Sequence, residues 1–229
     1  MAREILTEEK IRKHVERIGE MHPPIPLSSV DRTIKQPELI RAKYGHVIEY
    51  LARVELEVDR NVLELLVLLP HAKEVDRMFY EDIWQPQEIQ HGLIIDQLGR
   101  DIGLEPADPM LEVQLSMKIL GAVSHLPAIG EVTRLLYYLT GASTERQAVL
   151  AYNVLHRAML EMGEDAVANT LIAPIKQQEP AHFAFYQMSA TEMIQHDRLK
   201  PWQLWLARQL RSFSYGLVGT NGKKYYIAD

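Results

Sequence analysis

Two short segments combine a carboxylate and an imidazole at the same spacing: Glu88-Ile89-Gln90-His91 and Glu179-Pro180-Ala181-His182. On a helix, residues three apart share a face, so each segment can aim one carboxylate oxygen and one ring nitrogen at a common point. With 21 Glu and 9 His in the chain, a shuffled composition supplies roughly one such unit by chance, so the surroundings must carry the argument. Glu55 stands 33 residues before Glu88, and Glu145 stands 34 before Glu179. The chain therefore reads as one pattern written twice: a lone Glu, a helical hairpin, then Glu-x-x-His. Four carboxylates and two imidazoles suit a pair of divalent metal ions, because bridging carboxylates offset the positive charge and each imidazole terminates one ion. The chain has no cysteine, which excludes thiolate metal sites and thiol nucleophiles. Glu55, Glu88, His91, Glu145, Glu179 and His182 are the expected ligands of two irons, or of iron with manganese. Zinc also suits these donors.

The neighbours of each acid support a buried site. Ile48, Leu51, Glu55, Val58, Val62, Leu65 and Leu69 form a helical stripe that is apolar except at Glu55, whereas Glu49, Arg53, Glu57, Arg60 and Glu64 form a charged row expected to face solvent. Leu135, Tyr138, Ala142, Glu145, Val149 and Tyr152 repeat the arrangement around Glu145. The two unit helices contribute Trp84, Glu88, His91, Ile95, Leu98 and Leu171, Ile175, Glu179, His182, Tyr186. Each of four helices thus carries a carboxylate into an apolar stripe, where an uncompensated charge is costly. Trp84, Tyr152, Phe183 and Tyr186 fall within about two turns of the ligands and are expected to line a substrate channel.

Elements able to position these residues follow from the three- and four-residue recurrence of apolar side chains; strict alternation is almost absent. The spacing predicts a helix over about 8–20 and an extended, proline-rich arm up to residue 35. Long helices are predicted over about 36–69, 72–102, 129–162 and 165–194, with shorter ones over 110–124 and 202–213. Pro180 is expected to kink or widen its helix at the site, since it removes a backbone donor. An Asn-Gly pair in the tail, between apolar runs, is compatible with a hairpin over 217–227 and equally with a frayed end.

The chain's 229 residues, 47% of them hydrophobic, supply enough apolar material for one large domain spanning 1–229. The net charge of −6 repels phosphate backbones and argues against nucleic acid as a partner. The charged opening lacks a signal-like apolar stretch and no run reaches the length of a membrane span, so a cytoplasmic protein is expected.

The segments Gln87-Glu88-Ile89-Gln90-His91-Gly92 and Ser143-Thr144-Glu145-Arg146-Gln147-Ala148 make the chain resemble the ferritin-like di-iron carboxylate superfamily. The likeness spans about 36–191 and is greatest to soluble acyl-carrier-protein desaturases and their relatives. It implies an all-α, four-helix bundle with a long crossover connection and extra peripheral helices, two bound irons and dioxygen-driven oxidation. The second unit departs from that pattern, with Gln178 before Glu179 and Pro180 inside. The reading is a di-iron oxidase or oxygenase, desaturase-like, acting on an acyl or other largely apolar small molecule. No Gly-x-Gly-x-x-Gly occurs, so an external electron donor is expected, and a homodimer is the expected assembly. The alternatives are an iron-handling ferroxidase or peroxide scavenger, and a metal-free helical scaffold.

Overall fold

Helical periodicity in the sequence is expressed as helices throughout a computed structural model, which describes residues 5–68, 72–196 and 199–214 and contains no strand among them. The expected hairpin over 217–227 lies outside the described residues. Helix α1 (Glu8–Met21) is capped by the Thr7 side chain, which accepts from the Lys10 N–H. An arm over 22–36 leads to α2 (Pro37–Glu55) and α3 (Val58–Leu68), then α4 (Glu74–Arg77), a π-helical segment (Met78–Trp84) and α5 (Gln85–Asp101). A crossover carrying α6 (Leu115–Ser124) joins this half to α7 (Pro127–Glu161). A second π-helical segment (Val167–Ile172), α8 (Ala173–Gln195) and α9 (Pro201–Ser214) complete the described chain. No described helix is long and apolar enough to cross a membrane.

Helix α2 packs along α5 and α7 along α8, while α1 lies on α8, α6 on α3 and α9 on α7. Buried apolar residues gather into two clusters. One is built from α1, α3, the first π segment, the start of α7 and the end of α8. The other is built from α2, α5, the end of α7 and the start of α8.

Three departures from the sequence reading bear on the site. The single helix expected over 36–69 is broken at Leu56 and Glu57, immediately after Glu55. Around the break, the charged row is not solvated: Arg53, Glu57, Arg60 and Glu64 are all buried, and of the row Glu49 alone stays exposed. Three- and four-residue spacing lets these charges satisfy one another. Glu57 accepts from Arg53 at 2.7 Å and from Arg60 at 2.6 Å, and Arg60 also reaches Glu64 at 3.0 Å. The crossover closes over the row, and the Met110 N–H donates to Glu57.

The third departure concerns Pro180. Helix α8 continues through it without a break, and the widening lies upstream in Val167–Ile172. Both π segments are followed, two residues on, by a proline: Pro86 and Pro174. Each proline lacks the donor for the carbonyl four residues back, inside the π segment, and its ring crowds that carbonyl. The ladder adapts by slipping one residue, so Gln85 N–H bonds Tyr80 and Ala173 N–H bonds Ala168.

Candidate metal centre

All six expected ligands converge. Glu55 closes the last turn of α2; Glu88 and His91 lie on α5, Glu145 on α7, and Glu179 and His182 on α8. Gly92 makes the first of these placements possible. A Cβ there would stand 2.7 Å from Leu56 Cγ and 3.0 Å from the Leu56 backbone nitrogen, so only glycine lets α5 approach the turn that follows Glu55. Gly141 plays the matching part on α7, where a Cβ would collide with the Tyr186 ring.

Two overlapping groups result. Glu55, Glu88, His91 and Glu179 form one, and Glu88, Glu145, Glu179 and His182 the other; within each, one donor atom per residue lies within 4.8 Å of all the others. Glu88 and Glu179 belong to both, as bridging carboxylates would. The imidazoles approach through Nδ1. His91 Nδ1 lies 3.2 Å from Glu179 and 3.5 Å from Glu88, and His182 Nδ1 lies 2.8 Å from Glu88 and 3.6 Å from Glu145.

Closeness here is not hydrogen bonding. Glu88 Oε1, both Glu179 oxygens and both Nδ1 atoms are buried without a hydrogen-bond partner. Orphaned polar atoms in the interior are costly, and these five point inward at one another. This donor set and its orphaned atoms fit divalent metal ions: the groups could hold them, and carboxylates with imidazole suit iron, manganese or zinc.

In the metal-free chain, protons take the compensating role. Burial, with the negative charge of Glu88, raises Glu55 well above the usual carboxylate range. Burial likewise pushes Glu145 up to about 8, against the opposing influence of the nearby His182 ring. Burial would lower His91, but Glu88 and Glu179 outweigh it and raise the ring to about 10. His182 is raised similarly, against burial, by Glu145 and Glu88. Glu88 is held low despite burial, because Glu55 donates to it and both imidazoles face it.

Two aromatics fix the lone acids. Tyr152 donates its hydroxyl to Glu55 at 2.8 Å, and Trp84 Nε1–H donates to Glu145 at 3.2 Å. A small cleft of about 100 Å³ reaches Glu55, Glu88 and Glu145, with walls that include Leu51, Val54, Val58 and Trp84. Of the four aromatics expected to line a channel, Trp84 alone borders it. Tyr152 is turned onto Glu55 instead, and Tyr186 packs among Phe79, Tyr80 and Phe185. Phe183, half-buried, does not reach the cleft either.

Sequence reading missed Gln87 and Gln178. His91 Nε2 meets Gln178 Oε1 at 2.7 Å, and His182 Nε2 meets Gln87 Oε1 at 2.6 Å. The signal was present, since both units read Gln-Glu-x-x-His, but the pairing is crossed between units and cannot be read from either alone. Comparison with models of protein families, with curated proteins and with solved structures finds no match to this chain.

Proposed function

We propose that the chain is a dinuclear metal protein with a ferritin-like four-helix bundle formed by α2, α5, α7 and α8, and that it acts as a dioxygen-dependent di-iron oxidase or oxygenase. The observation that carries this reading is the set of five buried, unpartnered donor atoms on α5 and α8, grouped with the carboxylates of Glu55 on α2 and Glu145 on α7. A metal-free scaffold has no need to gather five such atoms and could only offset their charge with bound protons. Glu55 and His91 would terminate one ion, Glu145 and His182 the other, and Glu88 and Glu179 would bridge them. Such a pair of irons supplies one- and two-electron chemistry with dioxygen.

The chain's own residues do the rest. Tyr152 and Trp84 hold the two terminal carboxylates in place. The two apolar clusters exclude bulk water from the site. Among the described residues no cationic side chain lines the cleft, and three carboxylates do, which disfavours an anionic group and is in keeping with a thin, apolar stretch of an acyl or similar substrate. A bulky substrate does not fit about 100 Å³, and that narrowness also favours the second reading, an iron-handling or peroxide-consuming protein. Electron supply and assembly follow the resemblance: a separate electron donor, and a homodimer.

The test is dioxygen uptake by anaerobically Fe(II)-loaded protein. Rapid uptake, followed by repeated turnover only when reductant and an apolar substrate are both present, supports the oxidase. Uptake that tracks added Fe(II) or peroxide alone favours iron handling. No uptake beyond that of free Fe(II) contradicts both.

A further inference from the structure

Gln87 and Gln178 are buried beside the centre, and the chemistry proposed above uses neither as a ligand. Both ends of each carboxamide are occupied. Gln178 Nε2 donates to the Pro23 carbonyl at 2.8 Å, and Gln87 Nε2 donates to the His22 carbonyl. Two adjacent backbone carbonyls of one arm, between α1 and α2, therefore hold both glutamines.

The orientation of each group then follows. A backbone carbonyl only accepts, so each glutamine must present its NH2 to the arm and its oxygen to the imidazole. That oxygen also only accepts, so each histidine must carry its proton on Nε2. With Nε2–H fixed, Nδ1 is the nitrogen that faces the carboxylates, as the geometry shows for both rings. Without the arm's carbonyls a carboxamide is free to flip, turn its NH2 toward the ring and favour the wrong tautomer.

We infer that Gln87 and Gln178 are positioning residues, crossed between the two units, through which the His22–Pro23 segment sets the metal-facing nitrogen of both histidines. This rests on the metal reading above. Gln178, sitting beside Glu179, governs the ion ended by His91; Gln87, beside Glu88, governs the ion ended by His182. Outer partners of metal-bound histidines typically change affinity by about 10- to 100-fold when removed, and the crossing says which ion each one changes.

The experiment uses the full chain and Co(II) alone as the probe. Metal titration gives the affinities, and proton NMR of the Co(II)-loaded protein reads the shifted ring N–H of each bound histidine. Wild type is expected to show two such signals, identified by their loss in His91→Ala and in His182→Ala. Gln178→Leu is expected to weaken one of the two ions by about 10- to 100-fold and to lose or exchange-broaden the His91 signal. Gln87→Leu is expected to do the same to the His182 signal. Should a leucine variant not fold, Gln→Asn keeps the polarity, lacks the reach and should affect the same signal. A purely structural role would weaken both ions together and lower the melting temperature of the metal-free protein, without selecting a histidine. Wild-type binding in both variants, or loss of the signal from the variant's own unit, overturns the inference while leaving the metal reading intact. Wild-type protein that takes up no Co(II) overturns both.

Discussion

Glu55 and Glu57 stand two residues apart and answer to different neighbours. Glu55 faces Glu88 and Tyr152 at the centre, whereas Glu57 lies between Arg53 and Arg60 under the crossover. Glu55→Ala should abolish binding of the ion pair while the chain still folds. Glu57→Ala should leave metal uptake intact but take one carboxylate away from two buried guanidiniums, Arg53 and Arg60, at a cost of about 3 kcal/mol. Metal titration and denaturant unfolding of the two variants check this, and exchanged outcomes would mean that the opposite face of the helix carries the ligand. The six converging residues were legible because acids and imidazoles are conspicuous in apolar stripes. The buried row was not legible, because charges at three- and four-residue spacing look the same whether water or one another satisfies them. Only the crossover, distant in sequence, decides that Glu57 is 2% exposed. Gln87 and Gln178 escaped for a related reason: a neutral amide gains its meaning from a partner 95 or 87 residues away.

At the scale of elements, the centre depends on where backbones can touch. Gly92→Ala would drive a methyl against Leu56 Cγ at 2.7 Å and the Leu56 backbone nitrogen at 3.0 Å. Backbone cannot rotate away as a side-chain tip can, so the variant should lose about 1–3 kcal/mol and displace Glu55, weakening metal uptake as well. Gly99→Ala on the same helix is the control. Its new methyl meets nothing nearer than 3.6 Å, and removing glycine's backbone freedom from a helix interior should stabilise by up to about 1 kcal/mol. Thermal and denaturant unfolding of both variants measure the contrast; equal effects would contradict the packing account. Most helix positions were readable from periodicity, but the break at Leu56–Glu57 was not. Neither residue is a helix breaker, and the turn depends on Gly92 across the interface and on the crossover that receives Glu57. The π segments were equally hidden: Pro86 and Pro174 mark them, yet a proline alone does not say whether a helix starts, kinks or slips by one residue.

At the scale of the whole molecule, protons and metal ions compete for the same buried site between two apolar clusters. A group that holds its proton more tightly in the folded chain than in the unfolded one stabilises the fold fully below its unfolded pKa and loses that contribution as pH rises through its folded pKa. Burial first, among the influences named above, lifts Glu145 from 4.5 to about 8, while His91 is raised from 6.5 to about 10 by its carboxylate neighbours despite burial. Both therefore make the metal-free protein less stable as pH climbs from about 5 towards 10, by on the order of 1 kcal/mol per pH unit for each group inside its window. Metal ions displace these protons, so the melting temperature gained on adding Co(II) should grow between pH 6 and 8. A gain that shrank with pH would contradict the proton count. The most direct test of the central claim is the metal content of the purified chain after anaerobic reconstitution with Fe(II) and removal of free metal. The account predicts about two irons per chain, as the paired donor groups require, falling to one or none in Glu55→Ala. A chain that folds normally and retains no iron would contradict it.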